Sequence, residues 1–167
     1  MQGSMQEWGK AILQAAVILV LLFFFCWPMR LAGSSMEPTM QDGEIVLMNR
    51  FSALRGQYEK GDIVMFHYDD EGENRTVVKR IIATEGDTIR ILPEGVEVNG
   101  MLLQEDYAVG RTDGLVDLKV PEGTVFVMGD NREESYDSRN MGVIDCRDLK
   151  GKVFFRIYPF GNLGRMA

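Results

Sequence analysis

The chain contains one histidine and two cysteines among its 167 residues, and this scarcity excludes several kinds of catalytic centre. A Ser/His/Asp triad would have only His67 as the source of its imidazole. Cys26 and Cys146 stand alone, without the CxxC spacing of a zinc site, so neither a metal nor another cofactor is expected. A disulfide between them is not expected if the apolar run around Cys26 lies in lipid.

Positive charge is also in short supply. The chain has 18 lysines and arginines against 25 aspartates and glutamates, which gives a formal net charge of −7. Nucleic acid is therefore not the expected partner, because proteins bind it mainly through Lys and Arg contacts to phosphates. The 167 residues suffice for one domain with its own core, and the 46% hydrophobic content is ordinary for a folded protein.

What the chain does contain is one long apolar segment near its start. No charged residue interrupts residues 11–29, and Gln14 is the only polar interruption. The run is about as long as a bilayer-spanning helix, and Trp8 and Trp27 bracket it as aromatic residues do at membrane interfaces. We predict a short N-terminus over residues 1–10, a transmembrane anchor over 11–29 and a separate domain over 30–167.

Two alternatives compete with a retained anchor. Ala32-Gly33-Ser34 has the small-x-small pattern of a cleavage site, so the run could be a removable signal peptide. Cleavage there would leave Ser35 at the new terminus and remove the residues that lead into it, which favours retention. A buried core helix of this composition would need a larger domain around it.

Beyond residue 30, short β-branched runs alternate with turn signals, and no segment shows a long helical period. Asn99-Gly100 between two such runs is typical of a β-hairpin. We expect His67, near the end of one run, to be structural and not a catalytic base. The pattern predicts a compact, mostly β domain with strands over 44–48, 62–68, 75–84, 88–92, 96–98, 101–103, 124–128 and 152–158.

Two stretches far apart in sequence suggest a serine–lysine pair. Ser35 lies just before Glu37-Pro38, where proline restricts the backbone, and Lys79 lies in a β-branched run. A buried lysine loses its proton more readily, and a neutral lysine can activate a serine hydroxyl. The alternatives are an ordinary turn at Ser35 and an edge strand in which Lys79 and Arg80 both extend to water. In the catalytic interpretation Lys79 is buried and neutral, and Arg80 is paired.

A third segment, residues 129–139, begins with a tight turn and is rich in charge. Asp137 and Arg139 can pair, and a serine hydroxyl from the segment can bond to the lysine amine. Such a third group would orient the base, as in other catalytic triads. The alternative interpretation is a charged surface loop.

Taken together, these segments resemble the bacterial type I signal peptidases, which are membrane-anchored Ser/Lys endopeptidases. The resemblance covers most of the chain and depends on the order and spacing of the blocks. The blocks are the apolar anchor, Ser35–Thr39, Gly61–Phe66, Lys79–Ile82 with Gly86-Asp87, and Gly129–Arg139.

The resemblance implies a role for individual residues. Ser35 would be the nucleophile, with its backbone N–H donating to the oxyanion, and Lys79 would be the general base. Ser135 would orient the lysine. Some relatives place a second oxyanion donor two residues before the nucleophile, where this chain has Gly33. The supporting ion-pair residues would be Asp137 and Arg139, with Asp130 and Arg132, and the substrate-binding residues would be Met36, Val77 and Val78.

The resemblance also implies the reaction and its setting. The chain would cleave signal peptides from exported preproteins after small-x-small sites, with no metal or other cofactor and with the lipid bilayer as a partner. The catalytic domain would lie on the extracytoplasmic face of a single-pass anchor. A processing peptidase of narrow specificity and a non-catalytic, membrane-tethered peptide-binding domain are the alternatives. A self-cleaving repressor is disfavoured, because the N-terminal segment here is of the lipid type where repressors carry a DNA-binding helical domain, and because the acidic balance does not suit DNA.

Overall fold

The computed structural model describes residues 2–70 and 72–166. A long helix, α1 (Gln2–Phe25), leads directly into the first strand, and twelve strands follow. The strands are β1 (Cys26–Arg30), β2 (Ile45–Asn49), β3 (Ile63–Asp70), β4 (Glu73–Thr84), β5 (Thr88–Leu92), β6 (Gly95–Val98), β7 (Met101–Leu102), β8 (Asp117–Lys119), β9 (Thr124–Met128), β10 (Ile144–Asp145), β11 (Leu149–Tyr158) and β12 (Gly164–Arg165). Short helices are α2 (Phe51–Arg55), α3 (Ser138–Met141) and a 3₁₀ turn, Phe160–Asn162.

The strands form two antiparallel sheets. The large sheet has the order β1-β2-β11-β3-β4-β9-β10, with β12 added beside β11, and the small sheet has the order β7-β6-β5-β8. The prediction of a mostly β domain is therefore confirmed. Strands β1, β8, β10 and β12 were not predicted, because they are short or begin inside the apolar run and lack the alternation that marks the others.

The apolar run divides between two kinds of structure. Its helical part ends at Phe25, and Cys26–Arg30 pair with β2 at the edge of the large sheet, so the predicted segment 11–29 is not one helix. Pro28 is tolerated there because an edge strand does not need its N–H. Within the described residues, no helix satisfies both the length and the hydropathy that crossing a membrane requires.

Strand β4 connects the core to the site. It pairs with β3 along its length, from Glu73 to Arg80, but with β9 only from Arg80 to Thr84. Residues 75–79 therefore extend past the end of β9. The C-terminal half of β4 packs in the core, where Ile81, Ile82 and Ala83 are almost fully buried.

Candidate active site

Ser35 lies in the loop that joins β1 to β2, and local hydrogen bonds fix this loop. The N–H of Glu37 donates to the carbonyl of Ser34 at 3.0 Å, and the N–H of Met40 donates to that of Met36 at 2.9 Å. Gly33 has a φ of +94°, which favours glycine, and its N–H donates to Asp42 Oδ1 at 2.8 Å. The backbone around the Ser35 hydroxyl is thus held from both sides.

The serine loop is tied to the segment 129–139. Asn131 donates from its backbone N–H to the carbonyl of Ser35 at 3.1 Å and from Nδ2 to the carbonyl of Ser34 at 3.3 Å. Gly129 is needed for this close approach. A Cβ there would lie 2.5 Å from the Ser35 carbonyl oxygen and 2.3 Å from Ser135 Oγ. Gly129 thus brings the serine loop and Ser135 together.

Lys79 is buried in β4, with 3% of its surface exposed. Because Lys79 and Arg80 are both buried, the alternative in which both cations extend from an edge strand into water is excluded. Arg80, 2% exposed, bonds to Asp130 through Nε to Oδ1 at 2.9 Å and Nη2 to Oδ2 at 2.8 Å. The prediction of a buried Lys79 beside a paired Arg80 is confirmed.

Asp137 is fully buried and forms the predicted pair with Arg139. Arg139 donates from Nε to Oδ1 at 2.8 Å and from Nη2 to Oδ2 at 2.9 Å. Oδ2 also accepts from the N–H of Gly129 at 3.0 Å and from Ser135 Oγ at 2.7 Å. Burial alone would raise the pKa of Asp137, but the hydrogen bonds from Arg139 and Gly129 lower it overall.

The electrostatics of Lys79 follow from these pairs. Burial lowers its pKa from 10.5 to about 8, attraction by Asp137 opposes this, and repulsion by Arg139 adds to it. Asp137 and Asp130 already have arginine partners, and Lys79 forms no ion pair in the part of the chain that the structure describes. The neutral amine is therefore accessible near neutral pH, as a lysine base requires.

Ser135 and Arg132 support this site through other groups. Ser135 uses its hydroxyl proton on Asp137, which leaves its oxygen able to accept. Arg132 does not bind the neighbouring Asp130. It donates to both carboxylate oxygens of Glu105 at 2.9 and 2.6 Å and to the carbonyl of Gly129 at 3.0 Å. Arg132 thereby fixes the turn that begins at Gly129.

A cavity of about 520 Å³, called the cleft below, brings the two halves of the site together. Ser35 and Lys79 both line it, and so do the three residues predicted to bind substrate, Met36, Val77 and Val78. One wall is formed by residues 29–33 and the other by residues 75–79 of β4. The cleft therefore places the Ser35 hydroxyl and the Lys79 amine along an extended backbone.

His67 lies outside this cleft. It lines an adjoining cavity, and its Nδ1 is 3.3 Å from the hydroxyl of Thr76. Among the described residues there is also no group of three or more His, Cys, Asp or Glu side chains arranged to hold a metal.

Sequence reasoning missed several residues that build the site. Asn131 and Gly129 were seen only as parts of a turn, and Glu105 was not considered. Tyr68 and Tyr136 both line the cleft with their rings 5.8 Å apart. Asn131 stands inside a recognised block and could have been weighed there, but nothing in the sequence linked Glu105 or the tyrosines to the site.

Comparison with known proteins defines the class of this chain. The family model described as "Signal peptidase, peptidase S26" matches residues 5–158. The chain therefore belongs to the signal peptidase family, peptidase S26, and the predicted resemblance is confirmed.

Two curated relatives agree with this assignment. Signal peptidase I of Bacillus licheniformis is 37% identical over 175 residues, which cover 97% of this chain and 93% of that protein. Signal peptidase IB of Staphylococcus aureus is 36% identical over 186 residues, covering 97% and 94%. A crystal structure of a signal peptidase I from Enterococcus faecalis matches with a TM-score of 0.48 and 29% identity, covering 57% of this chain and 96% of that one.

Gly129→Ala is expected to reduce peptidase activity by about a hundredfold, because a shift of about 1 Å in a reacting group can cost that much. The added methyl group would force Ser135 and the Ser35 carbonyl apart. Gly161→Ala is the matched control, since a Cβ there meets no atom within 4 Å. Measuring kcat/KM together with the thermal midpoint separates a local from a global effect. Unchanged kcat/KM would show that the serine loop does not need this close approach.

Proposed function

We propose that this signal peptidase cleaves signal peptides from exported preproteins with Ser35 as nucleophile and Lys79 as general base. The observation that carries the proposal is the buried Lys79, whose neighbouring carboxylates are both neutralised by arginines. A lysine in that setting can be neutral, and it shares one cleft with the Ser35 hydroxyl. The curated relatives are named as signal peptidases, which fits this chemistry.

The reaction proceeds through an acyl-enzyme. The neutral amine of Lys79 takes the hydroxyl proton as Ser35 Oγ attacks the scissile carbonyl. The Lys79 ammonium then gives that proton to the leaving amine, and the acyl group remains on Ser35. Lys79 next removes a proton from water, which hydrolyses the ester and restores Ser35. The N–H of Ser35 would donate to the oxyanion. Gly33, whose N–H is bonded to Asp42, offers no side-chain donor.

The substrate would bind as an extended strand beside residues 75–78 of β4, which lie beyond the end of β9. Met36 is 4% exposed, and together with Val78 it packs in a cluster of Leu, Ile, Val and Met side chains. These residues would form the pockets for small side chains at the first and third positions before the cut.

We also propose that α1 attaches the enzyme to a bilayer as a single-pass anchor, with the β domain on the extracytoplasmic face. Apolar side chains project from every side of the helix. Ile12, Leu13, Leu19 and Val20 are 66–68% exposed, and Ile18 is 56% exposed. A helix that is apolar all round is normally buried in protein or in lipid. The same bilayer would hold the apolar segment of the substrate and raise its effective concentration.

Substitution of Ser35 and Lys79 tests their proposed roles. The detergent-solubilised full chain is expected to cut a preprotein with an Ala-x-Ala site once, after the second alanine. Ser35→Ala and Lys79→Ala should each lower kcat by at least about 10³-fold, because nucleophile and base act as a unit. Lys119→Ala, on an exposed strand of the small sheet, serves as the control. Cleavage that survives both substitutions would rule out the Ser35–Lys79 mechanism.

A binding domain without turnover predicts that the peptide associates and no cut appears. A peptidase of narrow specificity predicts that the general substrate stays intact while a particular exported protein is cleaved. The same assay, run with product detection by mass spectrometry, distinguishes both outcomes from the general signal peptidase.

The pH dependence tests the base. Lys79 acts when neutral, and the neutral fraction rises with pH through its pKa of about 8. The kcat/KM for preprotein cleavage should therefore increase from pH 6.5 and level off above pH 9, with a midpoint near the lysine pKa. A profile already level at pH 7 would indicate a different base, since an ordinary histidine titrates near pH ~6.5.

Liposome flotation of the full chain tests the anchor. The chain is expected to float with the lipid, and Ile18→Asp combined with Leu22→Asp should reduce the floated fraction, because a charge at a helix centre costs about 3 kcal/mol in lipid. Leu115→Asp, at a fully exposed leucine outside the helix, is the control. Equal flotation of the helix variant and the control would contradict attachment through α1.

A further inference from the structure

A second cavity, of about 440 Å³, adjoins the cleft, and the proposed reaction does not use it. It shares Met29, Arg30 and Thr76 with the cleft and extends from them to Trp27 and Met48. Trp27 lies in β1, before the loop that carries Ser35, and Met48 lies opposite it in β2, after that loop. The second cavity therefore lies on the side of the cleft away from Ser35. We call it the distal cavity.

Strand register shows how far the distal cavity lies from the catalytic residues. On the β1 side, Met29 is opposite Val46, and Trp27, two residues farther from Ser35, is opposite Met48. Two residues of a strand span about 6.6 Å, and they bring the side chain back to the same face. The Trp27 side chain therefore lies on the same face of β1 as that of Met29, about 6.6 Å farther from Ser35 along the strand.

The opposite wall, residues 75–79 of β4, shows the same two-residue spacing. Val78 is opposite Met65, and Thr76, two residues farther from Lys79, is opposite His67. Both walls run towards the active site in the same chain direction, since β1 leads into the Ser35 loop and residues 75–78 lead into Lys79. The walls thus present one layer of side chains at Met29 and Val78 and a second layer at Trp27 and Thr76.

An extended substrate bound between these walls would follow the same period. Its alternate side chains share one face, and each pair of residues advances it by about 6.6 Å. If the first side chain before the cut lies beside Met36 and the third lies in the layer of Met29 and Val78, the fifth points into the distal cavity. The cavity is thus in the position of a further substrate subsite.

The lining of the distal cavity defines the side chain that it would accept. Met48 and Met65 form an apolar floor and are 1% and 8% exposed. Lys150 and Arg50, whose guanidinium lies over the Trp27 ring, supply positive charge, and no described lining residue carries a carboxylate. The guanidinium of Arg30, another lining residue, lies towards Gly43. Lys150 and Arg50 are a local concentration of cations in a chain whose net charge is −7. Apolar floor and cationic rim together suit a side chain with a methylene stem and an anionic end.

We propose that the distal cavity binds the fifth residue before the cleavage site and selects a glutamate-like side chain there. The methylene groups would pack on Met48 and Met65, and the carboxylate would face Lys150 and Arg50. The inference rests on the proposed function, because it needs an extended peptide that is cut at Ser35. It adds charge selection far from the small pockets beside the nucleophile.

The test uses three preproteins that share one Ala-x-Ala site and differ only at the fifth position, which is Glu, Gln or Lys. With the full chain in detergent, kcat/KM should be about tenfold higher for Glu than for Lys, with Gln between them, as expected for partly exposed charge interactions. Raising the salt concentration should narrow the difference, because screening weakens these interactions.

Variants assign the preference to the distal cavity. Lys150→Glu is expected to remove or reverse the preference for Glu, and Arg50→Gln should reduce it. Lys119→Glu changes the net charge equally at an exposed strand of the small sheet and should leave the preference intact. Comparing ratios of kcat/KM for the Glu and Lys substrates within each variant removes any general loss of active enzyme.

The outcomes separate the subsite from the peptidase function. Equal cleavage of the Glu and Lys substrates, or a preference that Lys150→Glu and Arg50→Gln leave unchanged, would overturn the subsite and leave the peptidase intact. A preference for Gln over both charged residues would show an apolar subsite and also overturn the proposal. Cleavage of none of the three would overturn the signal peptidase mechanism and the subsite with it.

Discussion

The chemistry of the site depends on two buried arginine–carboxylate pairs. Arg80 binds Asp130 and Arg139 binds Asp137, each through two hydrogen bonds between buried groups. Burying any one of these four charges without its partner would cost free energy, so within each pair the arginine and the carboxylate need each other in order to be buried. Their consequence for Lys79 is that the nearby negative charge is already balanced. Desolvation then lowers the pKa of its amine, with the attraction of Asp137 only partly opposing it.

The same pairs also organise the backbone around Ser35. Asp137 holds the N–H of Gly129 and the hydroxyl of Ser135, and Gly129 lies against the carbonyl of Ser35. Asn131 completes the connection by donating to that carbonyl. The groups that lie around Lys79 and influence its charge therefore also set the position of the serine loop. One hydrogen-bond network therefore controls both the charge around Lys79 and the position of the serine loop. This explains why the segment 129–139 contributes so many buried polar atoms without lining most of the cleft.

The cleft itself results from a mismatch in strand length. Strand β4 has 12 residues, whereas β9 has 5 and pairs only with the C-terminal part of β4. Residues 75–79 are left as a wall opposite residues 29–33. Helix α1 passes straight into the strand that forms the other wall. In the proposed function this direct connection would keep the cleft close to the bilayer, where the substrate's apolar segment enters.

The sequence by itself determined the mostly β domain, the long apolar segment, the Ser35–Lys79 pairing as a hypothesis and the Asp137–Arg139 ion pair. These depend on local periodicity, proline geometry and charges close together in the chain. Only the tertiary structure decided that Lys79 is buried, that Asp130 binds Arg80, that Arg132 binds Glu105 and that the distal cavity adjoins the cleft. Each of these joins residues that are distant in sequence, and strand register and packing bring them together. Only the tertiary structure also decided that the helix ends at Phe25. Pairing with β2 places Cys26–Arg30 in the sheet, although their composition continues the apolar run.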